Sequence, residues 1–273
     1  METHPLKILQ LTDLHLVPTG QRRHGLDPAE RLRRTLAHAV ERHADADMMV
    51  LTGDLADNGD PDAYATLAEM LRDLPMPVRL LLGNHDNREN FLNTFPESAK
   101  DGDGFVQGVF DAPEGSGRLV FLDTSEPCWI GGRLCASRMA WLDRALTEVA
   151  DQPVTIFMHH PPAAMKVPHF ARIGLHDSAE LLDRLALHPG GVQHVFCGHI
   201  HLESVANFNG IPCASLRAIS HQMELSFETA TPWWIDTAPT YRVILLETDS
   251  LIAFSIAAEN SPRIGATRRC EGP

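Results

Sequence analysis

Short apolar segments of this chain end, one after another, in residues that can bind metal ions. Each segment has the length and composition of a buried β-strand. The donor side chains that follow them are Asp13, His15, Asp54, Asn84, His85, His159, His199 and His201. Because ligands collect at the carboxyl ends of strands in open α/β sheets, we expect these side chains to meet at one edge of the fold.

The spacing within these motifs supports a shared site. Asp13-x-His15 and His199-x-His201 place alternate residues on the same side of an extended segment. Glycines precede several donors, and we expect them to let the backbone turn sharply there; they are Gly53, Gly83 and Gly198. A single motif of this kind is common in turns and caps. Their joint occurrence, in order and each behind an apolar strand, indicates a metal centre.

The segments between the predicted strands have helical patterns. The clearest helix begins after Asp27, with Pro28 in its first turn and Glu30 three residues beyond the cap. Alternation of strands and helices predicts an α/β domain with largely parallel pairing. We assign residues 1–205 to this catalytic domain.

Beyond about residue 205 the pattern changes to hairpins and a segment without clear periodicity. We assign residues 206–273 to C-terminal strands and a cap or dimerisation segment that complete the fold. The sequence predicts two hairpins, Val205–Phe208 with Ile211–Leu216 and Tyr241–Leu246 with Leu251–Ile256. Met223–Thr240, between them, carries Trp233 and Trp234.

Charge and composition narrow the possible partners and the compartment. The net charge is −13, which disfavours a nucleic-acid polymer as partner. The start of the chain lacks the basic and apolar regions of a signal peptide, and no apolar run is long enough for a membrane span. The five cysteines form no CxxC pair, so we expect reduced thiols in a cytoplasmic protein.

The motifs also support a family assignment. The sequence blocks concerned are Asp13-x-His15, Gly53-Asp54-x-x-Asp57, Gly83-Asn84-His85-Asp86, His159-His160-Pro161-Pro162 and Gly198-His199-x-His201. Over residues 6–221 the chain resembles the calcineurin-like metallophosphoesterase superfamily, and within it the class III cyclic-nucleotide phosphodiesterase and glycerophosphodiesterase branch. The resemblance implies a four-layer α/β-β/α sandwich, in which two sheets pack face to face with helices outside.

The resemblance also implies two metal ions that share one carboxylate. It assigns the first metal to Asp13, His15, Asp54 and His201. It assigns the second metal to Asp54, Asn84, His159 and His199. Carboxylate, imidazole and carboxamide donors suit Fe, Mn, Zn or Co, and two such ions can polarise a phosphoryl group and hold a hydroxide for in-line attack. Neighbours on a strand point to opposite faces, so only one of His159 and His160 should coordinate. The resemblance selects His159, and we interpret His160 as a residue that supports the ligands or is structural.

Two further residues are candidates for catalysis. His85 follows a ligand, and in the family the matching histidine reaches the phosphate or the leaving-group oxygen. Asp57 matches a carboxylate that orients this histidine. A carboxylate partner raises an imidazole pKa, and the imidazolium can protonate a departing alkoxide. The alternative is that Asp57 caps a turn.

The substrate is less constrained than the chemistry. Related protein phosphatases carry an arginine where this chain has Asn58, and loss of that cation favours a singly charged phosphodiester. We expect a small phosphodiester, with 3′,5′-cyclic nucleotides ranked ahead of glycerophosphodiesters. The alternative to an enzyme is a non-catalytic scaffold with the same fold.

The C-terminal segment carries two further expectations. The matching region in relatives forms a cap and a dimer contact near the active site, so we expect a homodimer in which Trp233 and Trp234 take part. We also expect His221 to bind substrate from this segment, together with Asn84 and His85. The alternative for both tryptophans is burial beneath a long loop.

Overall fold

The computed structural model describes residues 4–259. The α-helices α1 to α5 are, in chain order, Pro28–His43, Pro61–Leu71, Arg88–Thr94, Ala136–Thr147 and Ser178–Ala186. The strands β1 to β13 are, in chain order, Leu6–Leu11, Met48–Thr52, Val78–Leu81, Gly108–Asp111, Arg118–Leu122, Val154–Met158, Val192–Cys197, Ser204–Phe208, Ile211–Ser215, Gln222–Met223, Trp234–Ile235, Thr240–Leu246 and Leu251–Ala257.

These strands form two large sheets and one small hairpin. The first sheet has the order β13-β12-β1-β2-β3, the second has the order β4-β5-β6-β7-β9-β8, and β10 pairs with β11. Pairing is parallel along β1-β2-β3 and β5-β6-β7-β9, and antiparallel at the flanking strands. The predicted parallel pairing therefore describes the centre of the second sheet and one side of the first, as far as its edge strand β3.

Alternation along β1 shows how the layers pack. Leu6 and Ile8 lie in the core between the two sheets. Leu9 and Leu11 face the other way, into a core that includes Leu32 of α1. A third core covers the outer face of the second sheet and contains residues of α4 and α5. Helix, sheet, sheet and helix are thus the four layers that the resemblance implies.

Local capping signals begin both α1 and α3, where the Asn87 side chain accepts a hydrogen bond from the Asn90 N–H at 3.0 Å. The Asp27 side chain accepts a hydrogen bond from the backbone N–H of Glu30 at 3.0 Å, as the predicted cap requires. The short helix α3, which begins after Asn87, has no such clear apolar periodicity. It packs on the structure through the buried ring of Phe91.

The C-terminal strands belong to both sheets. The predicted hairpin turn at Asn209-Gly210 joins β8 to β9 in the second sheet, with both turn residues at positive φ. The hairpin β12–β13 extends the first sheet through β1. Strand β8 crosses the boundary between residues 205 and 206, and the division of the chain there stays a prediction.

The segment between these hairpins lies on the surface. Trp233 is 64% exposed and Trp234 is 37% exposed, so neither tryptophan fills the core beneath a loop. Within residues 4–259 no helix combines the length and apolar character needed to span a bilayer. Four cysteines in this range are free thiols, and Cys270 lies outside it.

A candidate dinuclear metal centre

The loops that follow β1, β2 and β7 hold donor residues in an unusual backbone conformation. Positive φ angles occur at Asp13 (54°), His15 (44°), Asp54 (50°), His199 (72°) and His201 (52°). A non-glycine residue in this region costs on the order of 1–3 kcal/mol, and such strain concentrates at functional sites. The loops stabilise each other, because the N–H of His15 donates to the carbonyl of Asp54 at 2.8 Å.

The first group of donors consists of Asp13, His15, Asp54 and His201, all of them buried. Nε2 of His15 lies 3.1 Å from Nε2 of His201. The Asp54 Oδ2 atom is 3.4 Å from Nε2 of His15, and Asp13 Oδ1 is 3.4 Å from Nε2 of His201. The four residues expected to hold the first metal are therefore adjacent.

The second group shares Asp54 with the first. Nε2 of His159 lies 3.4 Å from the same Asp54 Oδ2 atom. It also lies 3.2 Å from Oδ1 of Asn84 and 3.2 Å from Nδ1 of His199. Asp54 Oδ2 is thus equally distant from the His15 and His159 nitrogens, as a bridging carboxylate oxygen would be.

The histidine tautomers leave lone pairs that face each other. His15 donates from Nδ1 to Asp57 at 3.2 Å, and His201 donates from Nδ1 to the carbonyl of His221 at 2.8 Å. Their Nε2 atoms, 3.1 Å apart, are both acceptors in the neutral rings. Only a shared proton or a metal cation can make this contact favourable.

In the second group, too, two histidine rings face each other with the nitrogens that the protein leaves free. His159 donates from Nδ1 to the carbonyl of Thr52 at 2.8 Å, and His199 donates from Nε2 to that of Ile173 at 2.7 Å. The remaining nitrogen of each ring points to the other. Metal–nitrogen distances are about 2.0–2.1 Å, so donors on one ion lie roughly 3–3.5 Å apart. The observed separations fit two first-row metal ions.

Burial and charge set the protonation of these groups. Burial alone would raise the pKa of Asp54, but the nearby His159 and His85 hold it well below its usual range. Burial lowers the pKa of His15 to about 4 and, with the help of His159, that of His199 to about 3. Burial also acts to lower the pKa of His159, yet the Asp54 carboxylate raises it to about 9.

The glycines act at the centre in two different ways. Gly53 has a φ of 94°, as expected for a sharp turn. Gly83 and Gly198 serve close approach instead. A Cβ atom at Gly83 would lie 2.2 Å from Asp54 Oδ1, and one at Gly198 would lie 1.9 Å from Thr12 Oγ1.

Asp57 joins His85 to the first group. Its Oδ1 atom lies 3.0 Å from Nδ1 of His85 and 3.2 Å from Nδ1 of His15. Burial acts to lower the pKa of His85, but the charge of Asp54 and the hydrogen bond to Asp57 raise it above the usual value. Since Nδ1 of His85 is committed to Asp57, Nε2 is the nitrogen that remains for another partner.

Asp86, the last residue of the Gly83-Asn84-His85-Asp86 motif, supports two donor loops at once. Its carboxylate accepts hydrogen bonds from the N–H groups of Leu55, Ala56 and Gly83 at 2.8–3.1 Å. The loops that present Asp54 and Asn84 are therefore tied together by one half-buried side chain.

His160 has both ring nitrogens occupied by the protein. Nε2 donates to the carbonyl of Ile130 at 3.2 Å, and Nδ1 accepts from the Thr124 hydroxyl at 2.8 Å. Burial, with the charges of His199 and His159, holds its pKa well below the usual range. Although His160 lies close to His159 and His199, these bonds agree with the structural role expected of it.

Arg23 is a neighbour that sequence reasoning missed. Its Nη1 atom lies 3.0 Å from Asp57 Oδ2, on the side of the carboxylate opposite His15 and His85. A cation therefore reaches this carboxylate from a different loop, although the residue after Asp57 is the uncharged Asn58. No motif in the sequence links Arg23 to the donor blocks.

His221 lies beside the first group but is almost entirely buried. Its ring centroid is 4.6 Å from that of His201 and 5.2 Å from that of His15. Its Nδ1 atom is 3.0 Å from the Ser220 hydroxyl. At 1% exposure it sits beneath the surface of the centre, and its binding of substrate stays a prediction.

Comparisons with known proteins agree with this architecture. A probable cyclic nucleotide phosphodiesterase of Rhodopseudomonas palustris is 35% identical over 255 residues, 90% of each chain. A probable glycerophosphodiester phosphodiesterase of Arcobacter nitrofigilis is 29% identical over 229 residues, 80% of each chain. A dimetal phosphatase from Danio rerio has the same fold, with a TM-score of 0.72 at 16% identity over 94% of this chain and 98% of that one.

The family profile covers the whole of both donor groups. The calcineurin-like phosphoesterase profile matches residues 6–203, well over half of the 273 residues. This chain therefore belongs to the calcineurin-like phosphoesterase family.

Proposed function

We propose that the chain is a dinuclear metal-dependent phosphodiesterase that hydrolyses small phosphodiesters, with 3′,5′-cyclic nucleotides as favoured substrates. The observation that carries the proposal is the placement of one carboxylate oxygen, Asp54 Oδ2, 3.4 Å from a nitrogen of each donor group. Two bound cations of Fe, Mn, Zn or Co would lower the pKa of a water and polarise a phosphoryl oxygen there.

In this proposal the ligands keep the roles that the sequence assigned. Asp13, His15 and His201 hold one cation, Asn84, His159 and His199 hold the other, and Asp54 serves both. Asn84 directs Oδ1 towards Nε2 of His159, so its amide NH₂ remains to donate to a phosphoryl oxygen.

His85 supplies the proton in this proposal. Its Nδ1 atom is held by Asp57 at 3.0 Å, and its side chain is 30% exposed, so Nε2 can reach a bound substrate. The raised pKa favours the protonated form of this ring. Transfer of that proton from Nε2 to the departing alkoxide oxygen completes the cleavage. Asp57 is a positioning residue.

The choice of a cyclic nucleotide over a glycerophosphodiester rests on the relatives. The Rhodopseudomonas protein, named for cyclic nucleotides, is 35% identical over 90% of this chain. The Arcobacter protein, named for glycerophosphodiesters, is 29% identical over 80% of it. Glycerophosphodiesters are therefore the second candidate class.

We also propose a cytoplasmic homodimer. Free thiols at the described cysteines fit a reducing compartment. The C-terminal cap exposes large apolar side chains, namely Leu225, Phe227, Trp233 and Ile235. Contiguous exposed apolar residues are typical of interfaces, and a twofold dimer is the commonest closed assembly.

The decisive experiment combines metal analysis with kinetics. Purified protein should contain close to two equivalents of first-row metal by elemental analysis. Its kcat/KM should be highest for cyclic AMP among cyclic AMP, 2′,3′-cyclic AMP and glycerophosphoethanolamine. A preference for glycerophosphoethanolamine would select the second candidate. Protein without tightly bound metal and without diester hydrolysis would instead be a scaffold.

A further inference from the structure

Two loops that provide none of the metal donors bring aromatic rings together beside the centre. His24 stacks on Trp234, with ring centroids 5.0 Å apart and planes inclined by 25°. Trp234 contacts His221 edge to face at 4.7 Å, and His24 contacts the same ring at 4.6 Å. His201 lies 5.8 Å from Trp234. The His24–Trp234 pair therefore connects the exposed surface to the first donor group.

The backbone holds His24 in place. The N–H of Arg23 donates to the carbonyl of Leu26 at 3.0 Å, and the N–H of Leu26 donates back to the carbonyl of Arg23 at 2.9 Å. Between them, His24 and Gly25 have φ angles of 50° and 81°. Positive φ at both central residues is typical of a tight type I′ turn. The imidazole is thus presented from a short and well-defined turn.

Trp234 is anchored by strand pairing and by helix α1. It pairs with Met223 across β10 and β11. Arg31 of α1 donates from Nε to the carbonyl of Ile219 at 2.9 Å and from Nη1 to Asp236 at 2.7 Å, so it secures the chain on both sides of the hairpin. The position of the indole beside the metal ligands is therefore fixed by the fold.

The face of this pair suits a flat ring. Trp234 is 37% exposed and His24 is exposed, although their neighbours His201 and His221 are buried. Exposed aromatic side chains on rigid supports stack nucleobases, and this stacking is tolerant of base identity because each base has a π face. A glycerol moiety has no such face.

We propose that the His24–Trp234 pair is a stacking subsite for the base of a nucleotide, which would hold the nucleoside part of the substrate beside the first donor group. The inference rests on the proposed phosphodiesterase function and names the part of the chain that selects nucleotides. Trp233 is not part of the subsite: it is 64% exposed, and the structure records no ring–ring contact for it within residues 4–259.

Calorimetry on the Mn²⁺-loaded full chain tests this subsite through binding alone. The ligands are adenosine 5′-monophosphate and glycerol 3-phosphate, which share a phosphomonoester but differ in the base. Trp234→Leu should raise the Kd for adenosine 5′-monophosphate roughly 5- to 100-fold, the range of one lost base–aromatic stack. The Kd for glycerol 3-phosphate should stay within about twofold.

The neighbouring tryptophan provides the matched control. Trp233→Leu makes the same chemical change one residue away and should alter neither Kd. His24→Ala should repeat the selective loss without disturbing the β10–β11 hairpin. The subsite proposal would be overturned if Trp234→Leu weakened the binding of both ligands equally, or the binding of neither.

The two proposals fail in different ways. One result is that the chain hydrolyses no diester while Trp234→Leu still weakens the binding of adenosine 5′-monophosphate selectively. That result would support the base subsite and contradict the phosphodiesterase function. If diesters are hydrolysed and Trp234→Leu changes the Kd of both ligands equally, the phosphodiesterase function is supported and the base subsite is contradicted.

Discussion

Nε2 of His15 lies 3.1 Å from Nε2 of His201, although each ring already donates from its other nitrogen. Two imidazole acceptors at this distance repel each other unless a positive charge lies between them. Asp13 and Asp54 surround the contact with carboxylate oxygens. The arrangement is stable with a cation present, which makes metal content the first property to test.

Asp54→Ala should be the most damaging change to a single metal ligand. It removes the one oxygen that lies 3.4 Å from both His15 and His159, so each cation loses a ligand. We expect loss of at least one equivalent of metal and near-complete loss of hydrolysis. Full metal content by elemental analysis in the variant would rule out the bridging role. His160→Gln, at a ring whose nitrogens bond to the protein, should retain both equivalents.

His85→Ala should lower kcat without loss of metal, because this ring bonds to Asp57 and not to the donor groups. The expected decrease is on the order of 10²–10⁴-fold for a general acid. A leaving group such as p-nitrophenolate needs no protonation, so the decrease should be smaller with its diesters. Equal losses for good and poor leaving groups would show that His85 positions the phosphate only.

Asp57→Asn and Arg23→Gln should shift the alkaline limb of the profile of kcat against pH in opposite directions. Asp57 raises the pKa of His85, and the charge of Arg23 lowers it. A general acid acts while protonated, so activity falls as the pH rises through its pKa. The limb should move to lower pH in Asp57→Asn and to higher pH in Arg23→Gln. Shifts of the same sign would contradict the role of His85 as the acid.

Metal affinity should rise with pH through the neutral range. The pKa of His159 is raised to about 9, so this ring carries a proton that a metal must displace, whereas His15 and His199 have pKa values of about 4 and 3. Release of one proton makes the apparent affinity of the second group increase roughly tenfold per pH unit. Competition with a chelating dye between pH 6 and 8 measures this slope. A flat profile would show that His159 binds no proton in the metal-free chain.

The sequence was sufficient to predict the metal donors, because each donor motif follows its own strand. The apolar segments before Asp13, Asp54 and His159 form β1, β2 and β6 in the structure, and parallel neighbours bring their carboxyl ends together. Arg23, His24 and Trp234 were not predicted as a group. Their contacts depend on a tight turn and on a two-residue strand pair, and neither has a periodic sequence pattern that would predict it. The cation beside Asp57 likewise comes from a distant loop.

The last prediction concerns self-association through the C-terminal cap. Trp233 and Phe227 are 64% and 69% exposed, and Leu225 is 52% exposed, on the segment around β10 and β11. If this surface is the dimer contact, Trp233→Ala with Phe227→Ala should weaken association, while metal content stays unchanged because neither residue belongs to a donor group. Trp129→Ala, at a 45% exposed residue outside the cap, is the control and should leave association unchanged. Sedimentation velocity at micromolar concentration distinguishes the species, and a monomeric parent protein would remove the dimer proposal.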